Sequence, residues 1–354
     1  MYRADDETLK EFLAASAQGD ILQCPQWGEL KARTGWEPLQ FSIEVEGQIR
    51  AAALVLKRPI PRIGRCLFYC PLGPVVAPEH VDALDALVAD IRQAARSQRA
   101  IALKIDPAIT YADTVIVNRL RKLGFKPPSG SGHGFGGTQP RSVMKVDISG
   151  TEDDVQARFH AKWRYNIRLA AKKGCVVTIG DTAADMDAFY EVLQVTAQRD
   201  GFRVRNRTYF QHMRELIIEP GMGKLFLVKV GDTVVSGAIA FVLGDKCWYV
   251  YGASDNEHRN LMPNHLMQWE MMVWARAQGC TIYDMRGVSP EIDGEPTEPH
   301  IAGLNRFKKG FGADYIEYIG DWDLVFSPVL YAGFTKLLPL ARKALAKQAT
   351  QEAE

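Results

Sequence analysis

Apolar positions alternate along short runs of this chain, then switch to helical spacing, and the same switch occurs twice. From Val45, VEGQIRAAALVL and RCLFYCPLGPVV read as strands, Val81 to Gln98 as an amphipathic helix and IALKID as a further strand. From Val230, VGDTVVSGAIAFV, KCWYVYGAS, a helical run from Asn264 to Gln278 and TIYDMRGV follow the same order, offset by roughly 180 residues. Gly47 and Gly231 mark the turns ahead of the apolar strands, and Asp106 and Arg286 fall at equivalent ends of the last strand. Between the halves, KPPSGSGHGFGGTQP (Lys126 to Pro140) reads as a linker; it lacks the GK[ST] ending of a phosphate-binding loop.

One segment departs from ordinary amphipathic design. Phe159, Trp163, Ile167 and Ala170 share a narrow apolar face, while Arg158, Lys162, Arg164, Arg168, Lys172 and Lys173 spread over the rest. No Asp or Glu occurs between Val155 and Gly180, so these charges lack the i,i+4 partners of a merely solvated helix. A helix anchored on one side and basic on the other fits an RNA or phosphate ligand.

Strand, strand, helix, strand with a mixed sheet is the core of the Gcn5-related N-acyltransferase fold. The expectation is therefore an α/β (α+β) chain of two tandem domains of that kind, each a mixed β-sheet flanked by helices. The first spans 1–145 and is completed by 315–354; the second spans 146–314 and carries the basic helix. A coenzyme A enzyme of this fold places a glycine-rich loop between strand and helix, where this chain has HRNLMPNHLM (His258 to Met267). Without glycines the backbone cannot easily bring several N–H groups to a pyrophosphate. KKGFG (Lys308 to Gly312) comes after the repeat and does not replace that loop.

Composition makes the basic helix a local feature. Lys and Arg total 43 against 42 Asp and Glu, a formal charge of +1, which argues against packaging of nucleic acid, and no DNA partner is expected. A charged start, MYRADDETLK, and no long apolar run point to the cytoplasm. The six cysteines form no CxxC pair or zinc spacing, so buried thiols are expected and neither a metal nor a cofactor.

RYNIRLAAKKG (Arg164 to Gly174), QWGELKARTGW (Gln26 to Trp36), YCPLGPVV (Tyr69 to Val76), KIDP (Lys104 to Pro107) and GLNRFKKGFG (Gly303 to Gly312) together resemble the Fem family of peptidoglycan interpeptide-bridge aminoacyltransferases. The resemblance covers most of the chain in the family's order. It implies two tandem acyltransferase-like domains that move an amino acid from aminoacyl-tRNA onto the side-chain amine at the third position of the stem peptide. The acceptor is UDP-MurNAc-pentapeptide or lipid II. No heptad run long enough for the family's coiled-coil arm lies between Asp181 and Lys224, which resembles the armless form acting on the soluble nucleotide.

The same resemblance implies roles for individual residues. Lys31 of the N-terminal Gln–Trp motif, Arg205 with Tyr209, and Tyr251 match positions that contact the sugar nucleotide. Arg205 and Tyr209 share a face if their segment is helical. Tyr249 lies two residues before Tyr251 on the same strand, so period alone leaves a register ambiguity between them. Lys308 matches the lysine near the reacting ester, with Phe307 packed beside it, and Lys309 is assigned to tRNA phosphate along with Lys162, Arg164, Arg168, Lys172 and Lys173. For a general base the residues offer only Asp106, at a strand end near the expected cleft, with turn capping as the competing use.

The C-terminal run from Phe326 reads as an amphipathic helix with Lys336, Arg342, Lys343 and Lys347 on its polar side. It would allow peripheral contact with the inner membrane surface, but docking on the first domain from Tyr315 onward is expected. Two other readings compete: a coenzyme A dependent N-acyltransferase of the same fold, and a non-catalytic RNA-binding protein on that scaffold.

Overall fold

The computed structural model describes residues 5–128 and 138–335. Most of the Gly/Pro linker, His133 included, and the basic residues of the C-terminal run lie outside them. The first half runs α1 (Asp6–Ala15), α2 (Pro25–Ala32), β1 (Glu37–Val45), β2 (Gln48–Ile60), β3 (Arg65–Cys70), β4 (Val75–Val76), α3 (Ala83–Ser97), β5 (Ala100–Ile105) and α4 (Thr114–Lys122). The second opens with β6 (Ser142–Asp147), α5 (Glu152–Ala157), α6 (Ala161–Lys172), β7 (Cys175–Gly180), α7 (Ala183–Asp200) and α8 (Arg207–Met213). It continues through β8 (Gly223–Val230), β9 (Thr233–Leu243), β10 (Lys246–Ser254), α9 (Pro263–Ala277) and β11 (Ile282–Gly287). A small hairpin, β12 (Glu291–Ile292) and β13 (Glu295–Pro296), leads to α10 (Ala302–Lys309), β14 (Asp314–Glu317) and β15 (Trp322–Val325).

The repeat in the sequence becomes a repeat in topology. One sheet has the order β1-β2-β3-β5-β15 with β4 on β2, the other β14-β6-β11-β10-β9-β8-β7. At the centre of each, an antiparallel hairpin leads into a strand that pairs in parallel with the strand after the helix: β3 with β5, and β10 with β11. A parallel neighbour requires a crossover, which α3 and α9 supply. The chain enters the second sheet at Ser142 and leaves it at Glu317, and β15 then pairs with β5 in the first. Lys104 of β5 holds that return strand through Asp321 at 3.1 Å and Asp323 at 3.0 Å. Tyr315 thus still pairs in the second sheet, opposite Met144, and the return to the first comes after it.

Three apolar cores separate the layers. Outer faces are covered by α3 and α4 on the first sheet and by α6 and α9 on the second. The third core lies between the sheets and mixes both halves: Leu9, Trp27, Leu54 and Tyr69 pack with Phe189, Tyr209, Phe210 and Trp248. Phe210, fully buried, meets Tyr251 at 5.1 Å and Tyr209 at 5.6 Å between ring centroids, so truncating it to Ala would cost about 3–5 kcal/mol. All six cysteines are buried and free. Among the described residues no helix is long and apolar enough to cross a membrane.

Candidate active site

Residues far apart in sequence meet where the two halves face each other. Lys31, in the last turn of α2, places its Nζ 3.2 Å from the Tyr209 hydroxyl and 4.3 Å from the Trp27 ring centroid. The Tyr209 O–H donates in turn to Tyr251 on β10. Arg205 is exposed, has no acidic partner among the described residues, and holds its guanidinium 5.6 Å from the Tyr209 ring. Burial and the neighbouring Arg205 lower the Lys31 pKa from its ordinary value to about 7. Two basic side chains beside two phenols, with no carboxylate between them, are chemically suited to an anionic ligand.

The local geometry differs from a helical Arg205–Tyr209 pair. Asn206 caps α8, accepting from the Tyr209 N–H at 3.0 Å, so Arg205 precedes the helix and reaches Tyr209 from the cap. Arg207, two residues further on, is taken by Asp187 at 3.1 Å and by Glu191. The ambiguity between Tyr249 and Tyr251 also has a structural answer. A bulge in β10 against β9 lies between them, and an extra residue reverses the alternation of faces. Tyr249 therefore joins the core under α9, whereas Tyr251 faces α8 and Tyr209.

Lys308 is buried at the end of β11. Pairing of β10 with β11 stops at Trp248 and Asp284, and beyond it the carbonyls of Met285, Arg286 and Gly287 accept from Lys308 Nζ at 2.5, 3.3 and 2.7 Å. The side chain is 3% exposed. Burial lowers its pKa to about 7, with Asp284 opposing the shift and Arg286 adding to it. Phe307 packs against His265 and Phe311, at 5.2 and 5.3 Å, and its carbonyl accepts from Trp163 Nε1 at 2.9 Å. The Trp163 ring lies so close to Gly310 that a Cβ there would sit 2.2 Å from it, so the glycine of KKGFG serves this close approach.

These contacts fasten the basic helix α6 to α10. Lys162, Arg168, Lys172 and Lys173 remain exposed, without acidic partners among the described residues, and Tyr165 is exposed between them. Arg164 turns the other way, donating to the carbonyls of Gln156, Ala157 and Phe159 at the end of α5. Lys309 pairs with Glu291 at 2.9 Å and donates to the Gly294 carbonyl. Asp106 is buried, accepting from the Tyr69 hydroxyl at 2.7 Å and the Leu72 N–H at 2.6 Å. Burial raises its pKa well above the carboxylate range, and the geometry is that of a loop anchor. His265, which no motif singled out, stands in the first turn of α9 where a glycine-rich loop would otherwise lie; burial and Lys162 lower its pKa to about 4. Near Lys308, Arg286 forks onto Asp20, a partner from the other half of the chain that no local motif shows.

Two mixed sheets of the same strand order, each with a parallel pair joined across a helix, define a tandem acyltransferase-like fold. The chain belongs to the FemAB family, whose model matches residues 5–217 and 224–338. It is 29% identical over 405 aligned positions to a lipid II:glycine glycyltransferase from Staphylococcus aureus (strain MRSA252), covering 95% of each chain. A protein of the same name from Staphylococcus epidermidis (strain ATCC 12228 / FDA PCI 1200) is 29% identical over 400 positions, again with 95% of each covered. Both alignments exceed the 354 residues of this chain, so the relatives carry residues without a counterpart here. The crystal structure of FemX superposes with a TM-score of 0.83 at 28% identity, covering 94% of this chain and 98% of that one. A tandem GNAT protein from clavulanic acid biosynthesis shares the fold, at a TM-score of 0.56 and 12% identity over 92% and 97% of the two chains. The chain is accordingly a transferase of this family.

Proposed function

We propose that this protein transfers an amino acid from aminoacyl-tRNA to the side-chain amine of the peptidoglycan stem peptide. The acceptor is a MurNAc-pentapeptide carried on a diphosphate, either UDP-MurNAc-pentapeptide or lipid II. The observation that carries the reading is the meeting of Lys31, Arg205, Tyr209 and Tyr251 at the junction of the halves. A guanidinium and an ammonium suit the diphosphate, and the phenols suit sugar or phosphate oxygens. The relatives' printed names, which specify lipid II and glycine, support the acceptor class and the donor class. Absence of an inserted arm between α7 and α8, joined through 201–206, supports the soluble nucleotide as acceptor.

The chemistry follows from the groups present. The acceptor amine, in its neutral form, attacks the ester carbonyl of the charged tRNA. A tetrahedral oxyanion forms and collapses, the amide bond is made, and the tRNA ribose oxygen leaves, taking up the proton that the amine releases. Positioning supplies much of the acceleration, because both substrates are held rather than met by diffusion. In this reading the Lys308 cation stabilises the oxyanion or the departing ribose oxygen, and Phe307 packs beside it. The exposed face of α6 takes the tRNA phosphates through Lys162, Arg168, Lys172 and Lys173, with Arg164 and Lys309 at its margins.

Mass spectrometry decides the function. Purified protein is incubated with UDP-MurNAc-pentapeptide or lipid II and a mixture of charged tRNAs. A gain of one amino acid on the nucleotide is expected, and gain on lipid II alone moves the reaction to the membrane surface. No gain on either acceptor overturns the reading.

A further inference from the structure

The end of β11 carries an unusual arrangement. Arg286 has φ +60°, a left-handed conformation that a long side chain adopts only when its surroundings enforce it. The register between β11 and β6 breaks between Asp284 and Gly287, and the Arg286 N–H donates to Asp284 Oδ1 at 2.6 Å. This turn brings three successive carbonyls onto one ammonium, that of Lys308. Its enforcement comes from the other half of the chain. Asp20, 3% exposed, takes the Arg286 guanidinium in a fork, Nη1 to Oδ2 at 3.0 Å and Nη2 to Oδ1 at 3.2 Å. The guanidinium also lies 5.4 Å from the Trp248 ring centroid. Asp20 is itself fixed, since its Oδ1 accepts from the Leu22 N–H at 3.0 Å.

We propose that Asp20 and Arg286 are positioning residues for the transfer reaction: their fork holds the left-handed turn that aims the β11 carbonyls at Lys308 and so keeps its ammonium in place. The proposal rests on the catalytic reading of Lys308 given above. The charged groups acting on that ammonium are Asp284 and Arg286 on β11; Asp20 lies behind Arg286, and Tyr318, following β14, faces Asp284, Arg286 and Asp20. The carbonyls favour the cation, whereas the nearby guanidinium disfavours it.

Two substitutions separate these influences. Asp20→Asn releases the guanidinium, lets the turn relax and withdraws the carbonyls, so the Lys308 pKa falls, by about one unit. Arg286→Gly keeps the turn, because glycine adopts φ +60° without strain, and removes the repelling cation, so the pKa rises. Opposite shifts are not what general loosening of the fold produces. The readout is the 13Cε chemical shift of Lys308 against pH in lysine-labelled full-length protein, assigned by its loss in Lys308→Met. This titration needs no substrate, so it stands or falls apart from the functional reading. In transfer assays, the fall in rate above the Lys308 pKa moves to lower pH in Asp20→Asn and to higher pH in Arg286→Gly. If Asp20→Asn does not fold, Asp20→Glu, which keeps the charge and displaces the fork, takes its place, with the same fall in the Lys308 pKa expected. A Lys308 titration unmoved in either variant, or lowered in Arg286→Gly, overturns the proposal.

Discussion

The two halves share a strand order and treat the end of their parallel strand pair in opposite ways. In the first, β5 ends at a carboxylate, Asp106, whose oxygens are taken by the Tyr69 hydroxyl and the Leu72 N–H. That group is buried beside the loop it fastens. In the second, β11 ends at a left-handed arginine forked onto Asp20, next to a buried lysine held by three carbonyls. The two halves share a topology and differ in polarity at the strand end. Fold-level likeness between the halves therefore says nothing of where chemistry lies.

The comparison is most easily broken at Lys308. Lys308→Met is expected to lower the saturated transfer rate by about 10²–10³, as for loss of one oxyanion-stabilising group. The unpaired carbonyls would also cost about 1–3 kcal/mol of stability, read by denaturant unfolding. A variant that folds and transfers at the original rate would place the chemistry elsewhere.

At the junction between halves the expected effect is on binding. Arg205→Ala removes a charge-assisted contact worth about 1.5–3 kcal/mol, an increase in acceptor KM of roughly tenfold to a hundredfold. Tyr209→Phe removes a neutral hydrogen bond, with an effect of about tenfold or less. Acceptor titrations that leave both variants like the parent protein would move the diphosphate site.

Lys31 gives the junction a pH dependence. Its folded pKa, lowered to about 7, leaves it cationic below that pH and neutral above it. Acceptor affinity should therefore weaken as pH rises through about 7, and Lys31→Met should flatten that dependence. Because a bound anion favours the ammonium, proton uptake on binding should appear in calorimetry across buffers of different ionisation enthalpy.

Asp106→Asn sharpens the contrast at the other strand end. An amide can keep the contact from Leu72, so a loss of about 1 kcal/mol in unfolding free energy is expected, with both limbs of the pH–rate profile intact. Disappearance of one limb would make Asp106 the general base. The smallest effect is expected on α6: the Lys172→Ala, Lys173→Ala double variant should weaken tRNA binding at low salt and reduce the slope of log K against log salt by about 1–2.

Much of this was legible in the sequence, and the misses share one cause. Alternating runs displayed the strands, and their order displayed the repeat, because both are local signals. Family motifs marked Lys31, Arg205, Tyr209 and Tyr251, which the structure brings together. Period two could not choose between Tyr249 and Tyr251, since a bulge is invisible to it. The helical face open to Arg205 and Tyr209 depended on where the helix starts, and Asn206 caps it after Arg205. Partners distant in sequence were hidden: Asp20 for Arg286, Glu291 for Lys309, and the Phe307 carbonyl for Trp163. Arg164 looked like one more exposed cation, but it closes the end of α5.

Steady-state transfer with acceptor and charged tRNA varied independently tests the division between binding and chemistry most directly. The account predicts that Arg205→Ala raises the acceptor KM while retaining the saturated rate, and that Lys308→Met lowers the saturated rate while retaining the KM. Equal losses of both parameters in both variants, with folding intact, would contradict it.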